Sequence, residues 1–105
     1  MTIKSKKWNS KKDLEKIIGK RTVSGFLRSW RKGQELSQVE FARKIGMSRA
    51  NLCDIEMGRK GVSPAKAAEI AKILGYSISI LVEMAIEEQL AACGLKYKVE
   101  LTPAA

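Results

Sequence analysis

The sequence predicts a mainly α fold: a five-helix domain with an additional short N-terminal helix, a long C-terminal helix and one C-terminal β-strand. Three observations lead to this prediction. Apolar residues recur at helical spacing in successive segments between residues 22 and 93, and serines precede and glycines follow several of these segments. Residues 95–101 instead alternate strictly between apolar and charged. We divide the chain into an arm (1–21), a helical domain (22–76) and a C-terminal segment (77–105).

The N-terminal arm contains one predicted helix. Ser10 precedes the stretch KKDLEKIIG, in which Asp13 stands in the capping-box position and the apolar residues share one side. We therefore expect a short helix from Lys11 to Ile18 that ends at Gly19. Trp8, in the polar part of the arm, has no evident core to join.

The first and last helices of the domain are marked by apolar stripes. The first is predicted from about Thr22 to Lys32, with the inward residues Val23, Phe26, Leu27 and Trp30. The last begins at Ser63-Pro64, an N-cap followed by a proline at the first helical position, and ends at Gly75. Its predicted core residues are Ile70, Ala71, Ile73 and Leu74.

Between them lie two short helices joined by a tight turn. Ser37 is an N-cap with Glu40 as the acidic half of a capping box, and Gly46 suits the turn because glycine adopts a positive φ at little cost. Ser48 is the next N-cap, and Gly58 can close the second helix. The inward residues of the pair are Phe41, Ala42, Ile45, Leu52 and Ile55.

The C-terminal segment predicts a long helix and a strand. A helix can start at Ser77 or Ser79 and run to about Cys93, with Glu83, Glu87 and Glu88 as a narrow solvent-facing strip. Its surplus apolar surface predicts a second buried face, most simply in a homodimer. After Gly94, the alternation predicts a strand that pairs with its own copy or with another protein, or else an apolar tail that frays. The predicted dimer or partner interface consists of Leu81, Met84, Ala85, Tyr97, Val99 and Leu101.

The run QVEFARKIGMSRANLCDIEM, from residue 38 to residue 57, resembles the helix-turn-helix of the lambda-repressor/Cro (XRE) family. The family has apolar residues where this chain has Phe41, Ile45, Met47, Leu52 and Ile55, and a small residue and a glycine where it has Ala42 and Gly46. The resemblance covers about residues 24–76, roughly half of the chain. It implies a lambda-repressor-like domain that binds double-stranded DNA in a sequence-specific manner.

The resemblance also implies which side chains read DNA. Burial of Leu52 and Ile55 turns other residues of that helix outward, and the corresponding residues of similar repressors touch base edges. The expected base-contacting residues are Arg49, Ala50, Asp54 and, at the margin, Cys53. Arg49 suits guanine O6 and N7, and Ala50 suits a thymine methyl group. Asp54 either accepts from cytosine N4, orients a nearby arginine, or is a surface residue without a DNA role.

Phosphate contacts are expected from helix N-termini and flanking basic residues: Gln38, Ser48, Arg59 and Lys60. Similar domains place an ion pair between the first helix and the reading helix at the positions of Arg31 and Glu56. We expect that pair to be architectural.

Composition bounds the function further. Of the net charge of +9, residues 1–32 hold eleven Lys and Arg against Asp13 and Glu15. Such an arm either neutralises phosphates or is a solvated tail. The chain has no apparent signal peptide or membrane span, so we expect a cytoplasmic protein without membrane contact. The sequence contains no histidine and no phosphate-binding loop, so we expect no metal site, no cofactor and no enzymatic activity. The two cysteines are far apart in the sequence and are expected to be free thiols.

Two functions fit these features best. One is a homodimeric repressor of an inverted-repeat operator. The alternative is an antitoxin of a toxin–antitoxin pair that represses its own operon and holds a toxin protein through residues 83–101. A domain that only bridges proteins fits less well, because Gln38 and Arg49 suit DNA.

Overall fold

A computed structural model describes residues 22–104, and five helices make up this part of the chain. They are α1 (Val23–Gly33), α2 (Gln38–Lys44), α3 (Arg49–Glu56), α4 (Pro64–Leu74) and α5 (Ile78–Ala92). The predicted bounds of all five are confirmed to within one or two residues. The basic arm, the predicted helix from Lys11 to Ile18 and Trp8 lie outside the described residues.

Every helix begins at a capping hydroxyl. The side chains of Thr22, Ser37, Ser48, Ser63 and Ser77 each accept the backbone N–H of the residue three positions on. At α2 the capping box is complete: the Ser37 N–H also donates to Glu40 Oε1 at 2.8 Å. These hydrogen bonds hold the pKa of the Glu40 carboxyl below its ordinary value. Of the two serines considered for α5, Ser77 is the cap.

The turn between α2 and α3 depends on Gly46. Its φ is +75°, and the next N–H, of Met47, donates to the Ala42 carbonyl at 2.9 Å. This bond satisfies a carbonyl that the end of α2 leaves unpaired. The chain therefore reverses in a few residues, and α3 packs across α2.

The core lies where α1, α2, α3, α4 and one side of α5 meet. Phe41, Ile45 and Leu52 are fully buried, and Ala42 is small enough to allow α2 and α3 to cross closely. Ile73 departs from its predicted core position, since its side chain is exposed. The buried set is Val23, Leu27, Phe41, Ala42, Ile45, Leu52, Ile55, Val62, Ala67, Ile70, Ala71, Leu81, Met84 and Ala85.

The predicted C-terminal strand is wrong. Within the described residues the chain after α5 forms no strand, and it lies along α5 instead. The N–H of Val99 donates to Glu87 Oε2, and that of Leu101 donates to Glu83 Oε2, both at 2.8 Å. The alternation correctly indicates extended backbone, but the carboxylates of a helix, rather than a neighbouring strand, accept these two alternate amides.

The same contacts change the interpretation of the acidic strip on α5. Its three glutamates are half-buried rather than fully solvated. Glu88 accepts the N–H of Val23, the first residue of α1, where a carboxylate also interacts favourably with the helix dipole. Burial nevertheless raises the pKa of Glu88 above its ordinary value, with a further contribution from the neighbouring charge of Glu87.

Candidate nucleic-acid interface

The outward face of α3 is the surface that we expected to read DNA. Its first two residues, Arg49 and Ala50, are exposed, while Cys53 and Asp54 are half-buried. Leu52 and Ile55, on the opposite side, are buried in the core. The helix is thus anchored along one side and open along the other, which leaves its N-terminal turn accessible.

An ion pair beneath α3 fixes its position relative to α1. Arg31 Nε lies 2.8 Å from Glu56 Oε2, and Arg31 Nη2 lies 3.0 Å from Oε1, so the contact is bidentate. These are the two residues expected to pair, and the Glu56 side chain is only 3% exposed. Burial by itself would raise the pKa of Glu56, but hydrogen bonds from Arg31 and Gln38, with the charges of Arg31 and Arg28, outweigh it and lower that pKa.

Further contacts to Glu56 were not foreseen from the sequence. Its backbone carbonyl accepts from Ser24 Oγ at 2.9 Å and from Arg28 Nη2 at 2.8 Å. These donors satisfy a carbonyl at the C-terminal end of α3, where no helical partner exists. Sequence patterns offer no signal for such contacts, because the acceptor is a backbone group thirty residues away.

The two residues expected to hold phosphates at helix N-termini lie at the starts of α2 and α3. Gln38 is the first residue of α2, and its Nε2 donates to Glu56 Oε1 at 3.1 Å, which orients the carboxamide. Ser48 caps α3 by accepting the N–H of Asn51 at 3.1 Å. Since the oxygen accepts in this bond, the hydroxyl proton is available to an external acceptor.

The loop after α3 folds back onto that helix. Arg59 Nε donates to Asp54 Oδ1 at 3.1 Å, as in the arginine-orienting interpretation of Asp54, and Arg59 Nη2 lies 4.0 Å from Cys53 Sγ. Lys60 Nζ donates to Asn51 Oδ1 at 2.6 Å. Arg59 and Lys60 are thus both tied to the side chains of α3. No local sequence pattern marks Asn51 as a functional residue, and only this tertiary contact reveals its position beside Lys60.

The residues expected at a dimer or partner interface do not form one exposed group. Leu81, Met84 and Ala85 are buried in the core of their own chain, since this side of α5 packs against the rest of the domain. Tyr97 and Leu101 are exposed, and Val99 is half-buried. Of these six residues, only the last three are accessible to a second subunit, because the first three are already covered.

Cys53 and Cys93 are free thiols. No helix between residues 22 and 104 is long and apolar enough to cross a membrane.

Comparison with known proteins agrees with this geometry. The family described as Helix-turn-helix matches residues 27–81, which include α2 and α3 with their glycine turn. One relative, named "Immunity repressor protein" of Bacillus phage phi105, is 33% identical over 82 residues, covering 76% of this chain and 57% of the relative. The "ImmF control region 10 kDa protein" of the same phage is 35% identical over 65 residues, covering 62% of this chain and 72% of the relative. No solved structure gives a significant match.

In this structure a capped helix packs across the preceding one after a glycine turn, and its outer face is exposed. This is the arrangement found in helix-turn-helix DNA-binding proteins. The chain belongs to the lambda-repressor/Cro-like (XRE) branch of that family. Proteins with this arrangement bind double-stranded DNA through the second helix of the motif.

Proposed function

We propose that this protein is a homodimeric repressor that binds an inverted-repeat operator with α3 in the major groove. The observation that carries the proposal is the exposed outer face of α3, held rigidly over α1 and α2 by the buried Arg31–Glu56 pair. The relative named as an immunity repressor supports a repressing role. The chain spans little more than half of the length of that relative, so the repressing role of this chain is a proposal.

In this proposal each of three residues of α3 has its own role in base recognition. Arg49 donates to guanine O6 and N7, a bidentate contact that its exposed position at the start of α3 permits. Ala50 lies against a thymine methyl group. Asp54 acts through Arg59, because its carboxylate already accepts from that guanidinium, and a paired carboxylate repels phosphates less.

Backbone contacts come from the N-termini of α2 and α3. Gln38 and Ser48 donate to phosphate oxygens, supported by the positive ends of their helices. The Arg59 side chain is 59% exposed, so the N–H groups not used on Asp54 can also reach phosphate. Such contacts position the protein without selecting a sequence.

The homodimer is proposed from the C-terminal segment. Tyr97 is 66% exposed and Leu101 is 39% exposed, and both lie in the segment that follows α5. These side chains are proposed to be buried against a second copy, and reading of an inverted repeat then requires the two α3 helices to lie about one DNA turn apart. Val99 lies between them and extends the same surface.

The antitoxin alternative uses the same C-terminal segment to hold a different protein. Residues 99 and 101 are already hydrogen-bonded to α5 of their own chain, so a toxin would have to displace these contacts or bind over them. The name of one relative, an immunity repressor, favours a repressor.

Selection of binding sites from a pool of random DNA duplexes tests the proposal. We expect the full chain to select an inverted repeat whose half-sites are about 10 base pairs apart, and Arg49→Ala to lose discrimination at one position by about ten-fold or more. Lys72→Ala, which removes one positive charge from α4, is the control and should keep the preference.

The oligomeric state is measured by light scattering on the free protein and on its complex with the selected duplex. A monomer in both measurements would rule out the homodimer. Failure of the wild-type chain to select any sequence would rule out the operator.

A further inference from the structure

The loop after α3 presents Lys60 in an unexpected position. The backbone N–H groups of Arg59 and Lys60 both donate to the Asp54 carbonyl, at 2.8 and 3.2 Å, which holds the loop against the end of the helix. From there Lys60 Nζ reaches back nine residues to Asn51 Oδ1 at 2.6 Å. A contact between Lys60 and a phosphate would not require this hydrogen bond to Asn51.

Asn51 stands at the edge of the reading surface. It is the third residue of α3 and is half-buried, and at 100° per residue it lies between Asp54 and the buried Ile55, on the flank of the outward face. An ammonium group can only donate hydrogen bonds, so the carboxamide oxygen must face Lys60. The orientation of the amide is therefore determined, and its Nδ2 group points away from the lysine.

This contact changes what Asn51 can recognise. A free asparagine presents one donor and one acceptor, which match adenine N7 and N6 in the major groove. When Oδ1 accepts from Lys60, one of its two lone pairs is occupied, and the N–H donors on Nδ2 and on Nζ lie next to each other. Two neighbouring donors match the two acceptors of guanine, O6 and N7.

We infer that Asn51 and Lys60 form one composite reading unit that selects guanine on the flank of α3. The inference rests on the proposed operator binding and adds to it a base preference that is separate from that of Arg49. Lys60 then acts as a positioning residue for Asn51 as well as a donor.

The test is site selection from random duplexes with the full chain and two variants. The wild-type chain is expected to select guanine at one flanking position in each half-site. Lys60→Met, which keeps most of the side-chain stem, frees Oδ1 and is expected to shift the preference at that position to adenine. Asn51→Ala is expected to reduce discrimination there by about ten-fold to a hundred-fold. Lys72→Met, which removes the same charge from α4, should leave the preference unchanged.

A second measurement uses the selected duplex with 7-deazaguanine at that position, which removes the N7 acceptor. We expect it to weaken binding of the wild-type chain more than binding of Asn51→Ala, which keeps only the Lys60 donor.

Three outcomes would overturn the inference. Lys60→Met could lose affinity equally for all sequences, with the salt dependence reduced by about one phosphate contact, which would make Lys60 a phosphate ligand only. Asn51→Ala could keep the wild-type preference. In both cases the wild-type consensus would survive, and with it the proposed function. If the wild-type chain selected no sequence, the proposed function would fail as well.

Discussion

Glu56 is the residue at which three helices meet. It is the last residue of α3, its carboxylate accepts from Arg31 of α1 and Gln38 of α2, and its carbonyl accepts from Ser24 and Arg28 of α1. Removing one member of a buried pair costs far more than the pair contributes, because the remaining charge loses its compensation.

Glu56→Ala is therefore expected to lower the free energy of unfolding by about 3 kcal/mol or more. The matched control is Glu69→Ala, which removes an exposed carboxylate 3.3 Å from Lys66 and should change stability by less than about 0.5 kcal/mol. Urea denaturation followed by circular dichroism measures both. A Glu56→Ala protein of wild-type stability with an altered DNA sequence preference would show that Glu56 is a reading residue rather than an architectural one.

The contributions of two glutamates to the stability of the fold change with pH in opposite directions. The pKa of Glu56 is lowered in the fold, so its contribution is complete above the unfolded value of about 4.3 and is lost as the pH falls through the folded pKa. The pKa of Glu88 is raised, so its contribution is complete below about 4.3 and is lost as the pH rises through the folded pKa.

Glu88→Gln keeps an oxygen for the Val23 N–H but removes the charge. We expect its stability relative to the wild type to increase between pH 4 and pH 7, since only the wild type then ionises a half-buried group. Urea titrations at both pH values measure the difference, with Glu69→Gln as the exposed control. A constant or decreasing difference would contradict the burial argument.

Among the elements, the turn between α2 and α3 decides whether the reading helix is presented at all. Gly46 and Gly33 form a natural comparison, because a Cβ added at either would meet nothing within 4 Å. They differ in backbone conformation: Gly46 has φ +75°, whereas Gly33 is the last residue of α1 and lies outside the left-handed region. Conformation, and not space, separates the effects of a methyl group at the two positions.

Gly46→Ala should therefore destabilise the protein by about 1 kcal/mol, because an L-residue is disfavoured at positive φ. Gly33→Ala should stabilise it by up to about 1 kcal/mol, because alanine restricts the unfolded chain and favours the helix. Thermal unfolding of the two variants gives the sign directly. Equal shifts in both would mean that the turn does not require its left-handed residue.

At the scale of the whole molecule, the C-terminal segment lies along α5. The advance of two residues in this segment matches the rise of about four residues in the helix. Two residues of extended chain advance about 6.6 Å, and four residues of helix rise about 6 Å. The alternate amides of Val99 and Leu101 can therefore meet Glu87 and Glu83, four residues apart on one face of α5, with the two segments antiparallel.

Replacing both glutamates, as Glu83→Ala with Glu87→Ala, should release this segment without unfolding the domain. We expect hydrogen exchange at the amides of 99 and 101 to accelerate by about five-fold or more, while exchange in α1 to α4 is unchanged. Glu100→Ala, which removes an exposed charge from the segment itself, is the control. Unchanged exchange at 99 and 101 in the double variant would mean that these carboxylates do not hold the segment.

The helices and the exposed face of α3 could be predicted from sequence because the responsible signals are local. Capping serines, turn glycines and apolar spacing act within one helical turn, and burial of Leu52 and Ile55 by itself directs Arg49, Ala50 and Asp54 outward. The pairing of Arg31 with Glu56 followed from family resemblance rather than from any local pattern.

The C-terminal segment shows where local signals end. Alternation in residues 95–101 determines that the backbone is extended, but the acceptor of its amides depends on which groups the rest of the fold brings near. The same is true of Asn51 and Lys60, whose contact joins residues on either side of a turn. The sequence by itself determined the helices, the turn and the exposed face of α3, because each depends on neighbours in the chain. Only the tertiary structure decided the partners of Glu83, Glu87, Asn51 and Lys60, because a hydrogen bond between distant residues depends on their positions in space.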